Sequence, residues 1–150
     1  MSDQPMRDYA AATPMPDMGP LPWTAPSKPL SQCRVAIVTT AALHTPEDPG
    51  FAPDDVSYRV LPADRRDLVL GHWSPNFDRS GFVADLDVVY PIDRLEELAT
   101  AGLIGSVAAH HHAFAGNQED TLTGIRLDSG PAVAARLRDD DVDVVLLTPV

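Results

Sequence analysis

VDVVLLTPV, residues 142–150, is the stretch on which the fold turns. Its apolar run from Val144 to Leu147 is entered through Asp-rich sequence and left through Thr148 and Pro149, which predicts a buried strand running out to the edge of a sheet. In an open α/β sheet, ligands sit just beyond the carboxyl ends of such strands. A site is therefore expected around Val150 and whatever follows it.

Working outward, SGPAVAARLRDDD predicts a helix, with Ser129 as its cap, Pro131 in the first turn, and Arg136 and Arg138 near the end where the dipole favours cations. LIGSVAAHHHAF reads as a strand before it. Further upstream, RVAIVTTAAL (34–43) is a β-branched apolar run of the kind buried on both faces of a parallel sheet. VSYRVLP (56–62) alternates and reads as a less buried edge strand, and DLVL and DVVY are short strand candidates. IDRLEELATAG places Ile92, Leu95, Leu98 and Ala99 on one helical face and stops at Gly102. Helix-then-strand units of this length predict an α/β fold: a mostly parallel open sheet with right-handed crossover helices, Rossmann- or flavodoxin-like. The last strand has no helix after it, so the fold is expected to be incomplete at the C-terminus.

Seven of the fifteen prolines precede Leu30, in sequence such as PMPDMGPLPWTAP, so residues 1–30 read as a proline-rich extended arm and 31–150 as the folded domain. Leu21 and Trp23 are the arm's candidates for docking. A length of 150 residues fits one domain, and a 44% hydrophobic composition is that of a globular one. The net charge of −11 argues against a sequence-independent grip on nucleic acid or an acidic membrane surface. No apolar run is long enough to span a bilayer, and no signal peptide is recognisable. The single cysteine, Cys33, lacks a C-x-x-C partner, reads as inert, and points to the reducing cytoplasm.

Several clusters could carry chemistry. Alternation along HHH points His110 and His112 to the same side, as pocket-lining residues or as a solvated strand end; no Cys or Glu stands beside them at metal-ligand spacing, so no metal is expected. His44 follows the first strand and could look into the same crevice. HWSPNFDRSGF gathers His72, Asn76, Asp78 and Arg79 among aromatic residues, as a substrate-binding loop would. The run Asp139 to Asp143 reads as a solvated turn. There is no G-x-S-x-G, Walker or G-x-G-x-x-G motif to support hydrolase, triphosphatase or dinucleotide readings.

RVAIVTTAALHTPEDPGF, DVSYRVLP, HWSPNFDRSGFVADLDVVYPIDRLEELATAGLIG, HHAFAG and DVDVVLLTPV resemble, in that order, the selenoprotein B family of glycine, sarcosine, betaine and D-proline reductases. The most specific part is NFDRSG followed by VVYPIDRLEEL. The resemblance implies an oxidoreductase that cleaves the C–N bond of a small amine substrate. It implies a strand like VDVVLLTPV leading into a selenocysteine, so that Val150 would precede a recoded UGA codon and the chain would be the N-terminal part of a longer subunit. It further implies a pyruvoyl-containing partner subunit and a dithiol or thioredoxin-type electron donor, with no cofactor bound by these residues themselves and no certain catalytic residue among them. A selenolate after Val150 would need hydrogen-bonding or cationic neighbours, for which His44, His110 and His112 are candidates. Two alternatives stand beside this reading: a naturally short protein, and a non-catalytic α/β domain binding a small amino-acid-like ligand.

Overall fold

The computed structural model describes residues 4–12, 24–73, 79–116, 118 and 122–150. Leu21 and Trp23 of the arm, and Asn76 and Asp78 of the polar loop, lie outside the described residues. Strand β1, Arg34–Thr39, is the axis of the sheet, and Val35, Ala36, Ile37 and Thr39 are all buried. It pairs in parallel with β5 (Ser106–Val107), β6 (His110–Phe114) and β7 (Val144–Thr148). Val35 faces both Val107 and Val144, and Val38 both His112 and Leu147. Hence β5 and β6 run along one side of β1 and β7 along the other. Strand β3, Tyr58–Pro62, adds antiparallel to β6, so the sheet is mixed but mostly parallel. Two short strands, β2 (Leu43–His44) and β4 (Val69–Leu70), pair with each other apart from it.

LIGSVAAHHHAF is not one strand. Between the pairs Val35–Val107 and Val38–His112, two residues of β1 face four of its partner, 108–111. This bulge interrupts the ladder, and a side chain repairs it: the Ile37 N–H donates to His111 Nδ1 at 2.9 Å. His111 is fully buried, and its ring meets the buried Tyr90 edge-to-face at 5.4 Å. Burial first, then the two neighbouring histidines, hold its pKa down to about 4. The ring is therefore neutral at pH 7, and acceptance at Nδ1 puts its proton on Nε2.

The helices occupy opposite faces. Helix α3, Ile92–Thr100, buries Ile92 and Leu95 beside Tyr90, on the face to which His111 points. Gly102 ends it as expected, at φ +70°, with Leu103 N–H donating to Leu98 C=O (2.9 Å) and Gly102 N–H to Ala99 C=O (3.0 Å), the two bonds of a Schellman stop. Helix α4, Gly130–Asp139, lies by His110 and His112 on the other face, with Arg136 and Arg138 in its last turn.

Five expectations need correction. Ser129 does not cap α4: a π-helical turn, Ile125–Ser129, runs into it, and no side-chain bond is made at Ser129. Such a turn accommodates the N–H that Pro131 lacks. DVVY is not a strand; Leu86–Val88 is a 3-10 turn capped by Asp85, whose carboxylate accepts the Asp87 N–H at 2.9 Å. Part of the arm is not extended, since Gln4–Ala12 forms helix α1, with Pro5 in its first turn and a Gln4–Asp8 hydrogen bond of 2.8 Å across one turn. The Asp-rich turn is not wholly solvated: the Asp143 carboxylate accepts the Arg34 N–H at 2.7 Å and pairs with Lys28 at 2.8 Å. Finally β7 is not buried. Its one pairing among the described residues is with β1, and Leu147 is 68% exposed, with Val145 and Leu146 also exposed.

Candidate functional site

The carboxyl ends of β1, β6 and β7 meet in a cluster of main-chain and hydroxyl groups. Thr148 and Thr39, paired across the strands, both donate to Val89 C=O, at 3.0 and 3.1 Å. One residue further on, Thr40 N–H donates to Thr148 C=O (3.2 Å), and Thr40 Oγ1 accepts the Val150 N–H (2.8 Å). Thr40 thereby fixes the path of the chain at Val150. Across from it, β6 runs out to Gly116, where a Cβ would stand 2.6 Å from His72 Nε2, 2.7 Å from the Thr40 carbonyl oxygen and 2.9 Å from the Val150 oxygen. Only glycine leaves room for these three groups to approach one another.

His72 is carried into this cradle by backbone geometry. Ala42 adopts φ +54°, an uncommon conformation for a side-chain-bearing residue, and its carbonyl accepts the Gly71 N–H at 3.0 Å. The chain from Gly71 is thereby laid along the strand ends. Trp73 Nε1 donates to Phe51 C=O at 2.6 Å, and Arg79 Nη2 to His72 C=O at 2.6 Å, closing the polar loop from both sides. The His72 ring is buried, and its pKa is lowered by that burial and then by the Arg79 charge, with the Val150 main chain acting in the opposite sense as a hydrogen-bond partner. A neutral imidazole so placed can give or take a proton at the strand ends.

His44 lies close by but is built into the wall. Its Nδ1–H donates to Thr45 C=O at 2.8 Å, and Gly50 and Gly71 pack against the ring. His110 and His112 do share one side, as alternation predicts. However, His110 begins β6 rather than ending a strand; at about 3.3 Å per residue it stands roughly 20 Å, and His112 roughly 13 Å, before Gly116 along the chain. Cys33, ahead of β1, is at the amino end of that strand, with its thiol against the Lys28 and Pro29 carbonyls. Among the described residues no three His, Cys, Asp or Glu side chains gather as metal ligands. Of the expected site residues the structure thus unites His72 and Arg79. Sequence reasoning missed Thr40 and Gly116, although paired threonines closing a strand and a glycine after HHAFA were visible signals.

The protein is thus an α/β domain whose strand ends converge on a glycine-lined cradle bordered by His72 and Arg79. Over residues 4–150 the chain matches the family described as glycine/sarcosine/betaine reductase selenoprotein B, and it belongs to that family. It is 33% identical over 143 residues to the D-proline reductase subunit gamma of Acetoanaerobium sticklandii, covering 93% of this chain and 56% of that one. It is 26% identical to the glycine reductase complex component B subunit gamma of Symbiobacterium thermophilum (93% of this chain, 34% of that one) and, likewise at 26%, to that of Carboxydothermus hydrogenoformans (94% and 33%). The chain thus spans between about a third and just over half of the length of these relatives. No solved structure matches it.

Proposed function

We propose that this chain is the N-terminal part of the selenium-bearing subunit of an oxidoreductase that cleaves the C–N bond of glycine, of a derivative such as sarcosine or betaine, or of D-proline. The observation that carries this reading is the convergence of Thr40, His72, Gly116 and Val150 at the strand ends, in a chain belonging to this family. The local groups suit an anionic residue following Val150: the Thr40 hydroxyl and the His72 ring can hydrogen-bond it, and Arg79 adds a positive charge on the adjoining loop. A selenolate there would supply nucleophilic reducing power at the carbon bearing the amine, activated by a pyruvoyl group on a partner subunit and regenerated by a dithiol donor. The part played by the present residues is narrower. Thr40 fixes the direction in which the chain leaves Val150, Gly116 keeps the cradle open, and His72, neutral near pH 7, is positioned to take the proton of the group that becomes the nucleophile and to hand that same proton on to the departing amine.

No described helix is long and apolar enough to cross a membrane, and the proposed setting is the cytoplasm. The test is mass spectrometry of the native gene product from selenium-replete cells, followed by alkylation at neutral pH. Selenium at the position after Val150, alkylated before any cysteine, is expected. In the same full-length protein, Arg79→Ala is expected to lower turnover by about tenfold or more while the folded yield holds. A selenium-free product that reduces neither glycine, its derivatives nor D-proline alongside partner subunits would sink the reading.

A further inference from the structure

A cavity of about 330 Å³ opens between β6 and the last turn of α4. Its lining joins charged and polar residues with the apolar Val60 and Leu137. Arg136 stands on one side. Its Nε donates to Tyr58 Oη at 2.8 Å, which fixes the guanidinium and leaves both terminal nitrogens available, and it makes no ion pair with a described residue. Asp139 and Asp140 stand three and four residues further along the same helix, hence on the same surface as Arg136. Asp140 lies with Oδ1 3.6 Å from Arg34, while its buried Oδ2 has no hydrogen-bond partner among the described residues and faces His110 at 3.9 Å. His112, 2% exposed and part of the same cavity wall, has a buried Nδ1 that is also without a partner among the described residues.

Two buried, unsatisfied polar atoms beside a small cavity are costly unless something binds them. The charges decide what. A simple anion attracted by Arg136 would be repelled by the two carboxylates, and a simple cation the reverse. A molecule carrying both charges a few ångströms apart satisfies the guanidinium and the neighbouring carboxylates at once, and its compact carbon skeleton meets Val60 and Leu137. The volume suits a small ligand of that kind.

We propose that this cavity binds a small zwitterion of the amino-acid class, its carboxylate on Arg136, its ammonium on Asp140, and His112 Nδ1 hydrogen-bonding the ligand. The site is distinct from the strand-end cradle and does not rest on the reductase reading. It makes α4 a sensor of free amino acid, or a holding site for one.

The experiment titrates the isotope-labelled full chain with glycine, D-proline, acetate and methylammonium, following the histidine ring signals by NMR and the affinity by calorimetry. Glycine or D-proline is expected to bind saturably and to shift His110 and His112. Acetate and methylammonium should bind at least about tenfold more weakly, each lacking one charge-assisted contact. Arg136→Gln, at an exposed position, and Asp140→Asn should each weaken the zwitterion by a similar factor while the remaining spectrum keeps its dispersion. The proposal is overturned by the absence of saturable binding at about 10 mM. It is equally overturned if acetate binds as well as glycine, if Arg136→Gln leaves the affinity unchanged, or if the shifts centre on His72. The last result would favour a zwitterion site at the cradle, so the two readings fail separately.

Discussion

The sheet departs from regular pairing in two places, and they are resolved in opposite ways. At the bulge of residues 108–111, a fully buried imidazole supplies the acceptor that the partner strand withholds, and the ladder closes around it. At the cradle, Thr40, Gly116 and Val150 bring main-chain groups together around His72 and stop short of closure. One histidine completes the interior, whereas the other stands where the strands run out. The contrast teaches that a histidine's role in this fold is set by whether a backbone group depends on it. Ile37 depends on His111, whereas His72 meets the main chain of Val150 at the cradle.

The largest expected effect tests that dependence. His111→Ala removes the acceptor of a buried N–H and leaves a cavity against Tyr90, and it should destabilise the domain by about 3–5 kcal/mol. Chemical denaturation measures this, and a loss below about 1 kcal/mol would break the comparison. Next comes acid. His111 and His112 are both held down to about 4 in the folded protein, from 6.5, chiefly by burial. Between those values the unfolded chain binds more protons than the folded one, so their contribution to stability is complete above pH 6.5 and drains away as the pH falls toward 4. The loss is on the order of 3 kcal/mol for His111 alone. Stability measured at intervals across that window should fall with acidification, and His112→Gln should flatten the slope by up to one proton.

Gly116→Ala comes third, at about 1–3 kcal/mol, because the added methyl meets two carbonyl oxygens and a ring nitrogen at under 3 Å. Its distinguishing mark is local: the His72 ring resonances should move and those of His111 should not. The smallest effect is expected at the exposed flank of the cradle. Leu147→Lys, at a position 68% exposed, should change monomer stability by no more than about 0.5 kcal/mol. It should nevertheless reduce concentration-dependent association seen by light scattering, since it places a charge on an apolar edge that has no second strand among the described residues.

The α/β class was legible because apolar period and end signals agree: β1, α3 with its Gly102 stop, and the Arg-rich end of α4 all follow from local sequence. The bulge was not. A strand interrupted by two extra residues has the same apolar composition as an intact one, and the compensating bond runs from His111 to Ile37, 74 positions away in sequence. Sequence also placed His110 and His112 at a strand end, because it could not show that the strand restarts at His110. His72 and Arg79 were legible as a dense polar loop, whereas Thr40 and Gly116 were not, since small residues at strand ends carry meaning only once the neighbouring strands are known. The exposure of β7 was hidden for a related reason: VVLL reads as interior whether or not anything lies beside it.

The parallel register of β1 and β7, from Val35 opposite Val144 to Thr39 opposite Thr148, has a mechanical consequence. The polypeptide enters β1 at Arg34 and leaves β7 at Thr148, at opposite ends of the paired segment. A pull between those two points slides the strands past each other and loads the whole ladder at once, where an antiparallel hairpin would unzip bond by bond. Tension from a partner that tugs on the chain beyond Thr148 would thus be borne collectively, by the strands on which the cradle is built.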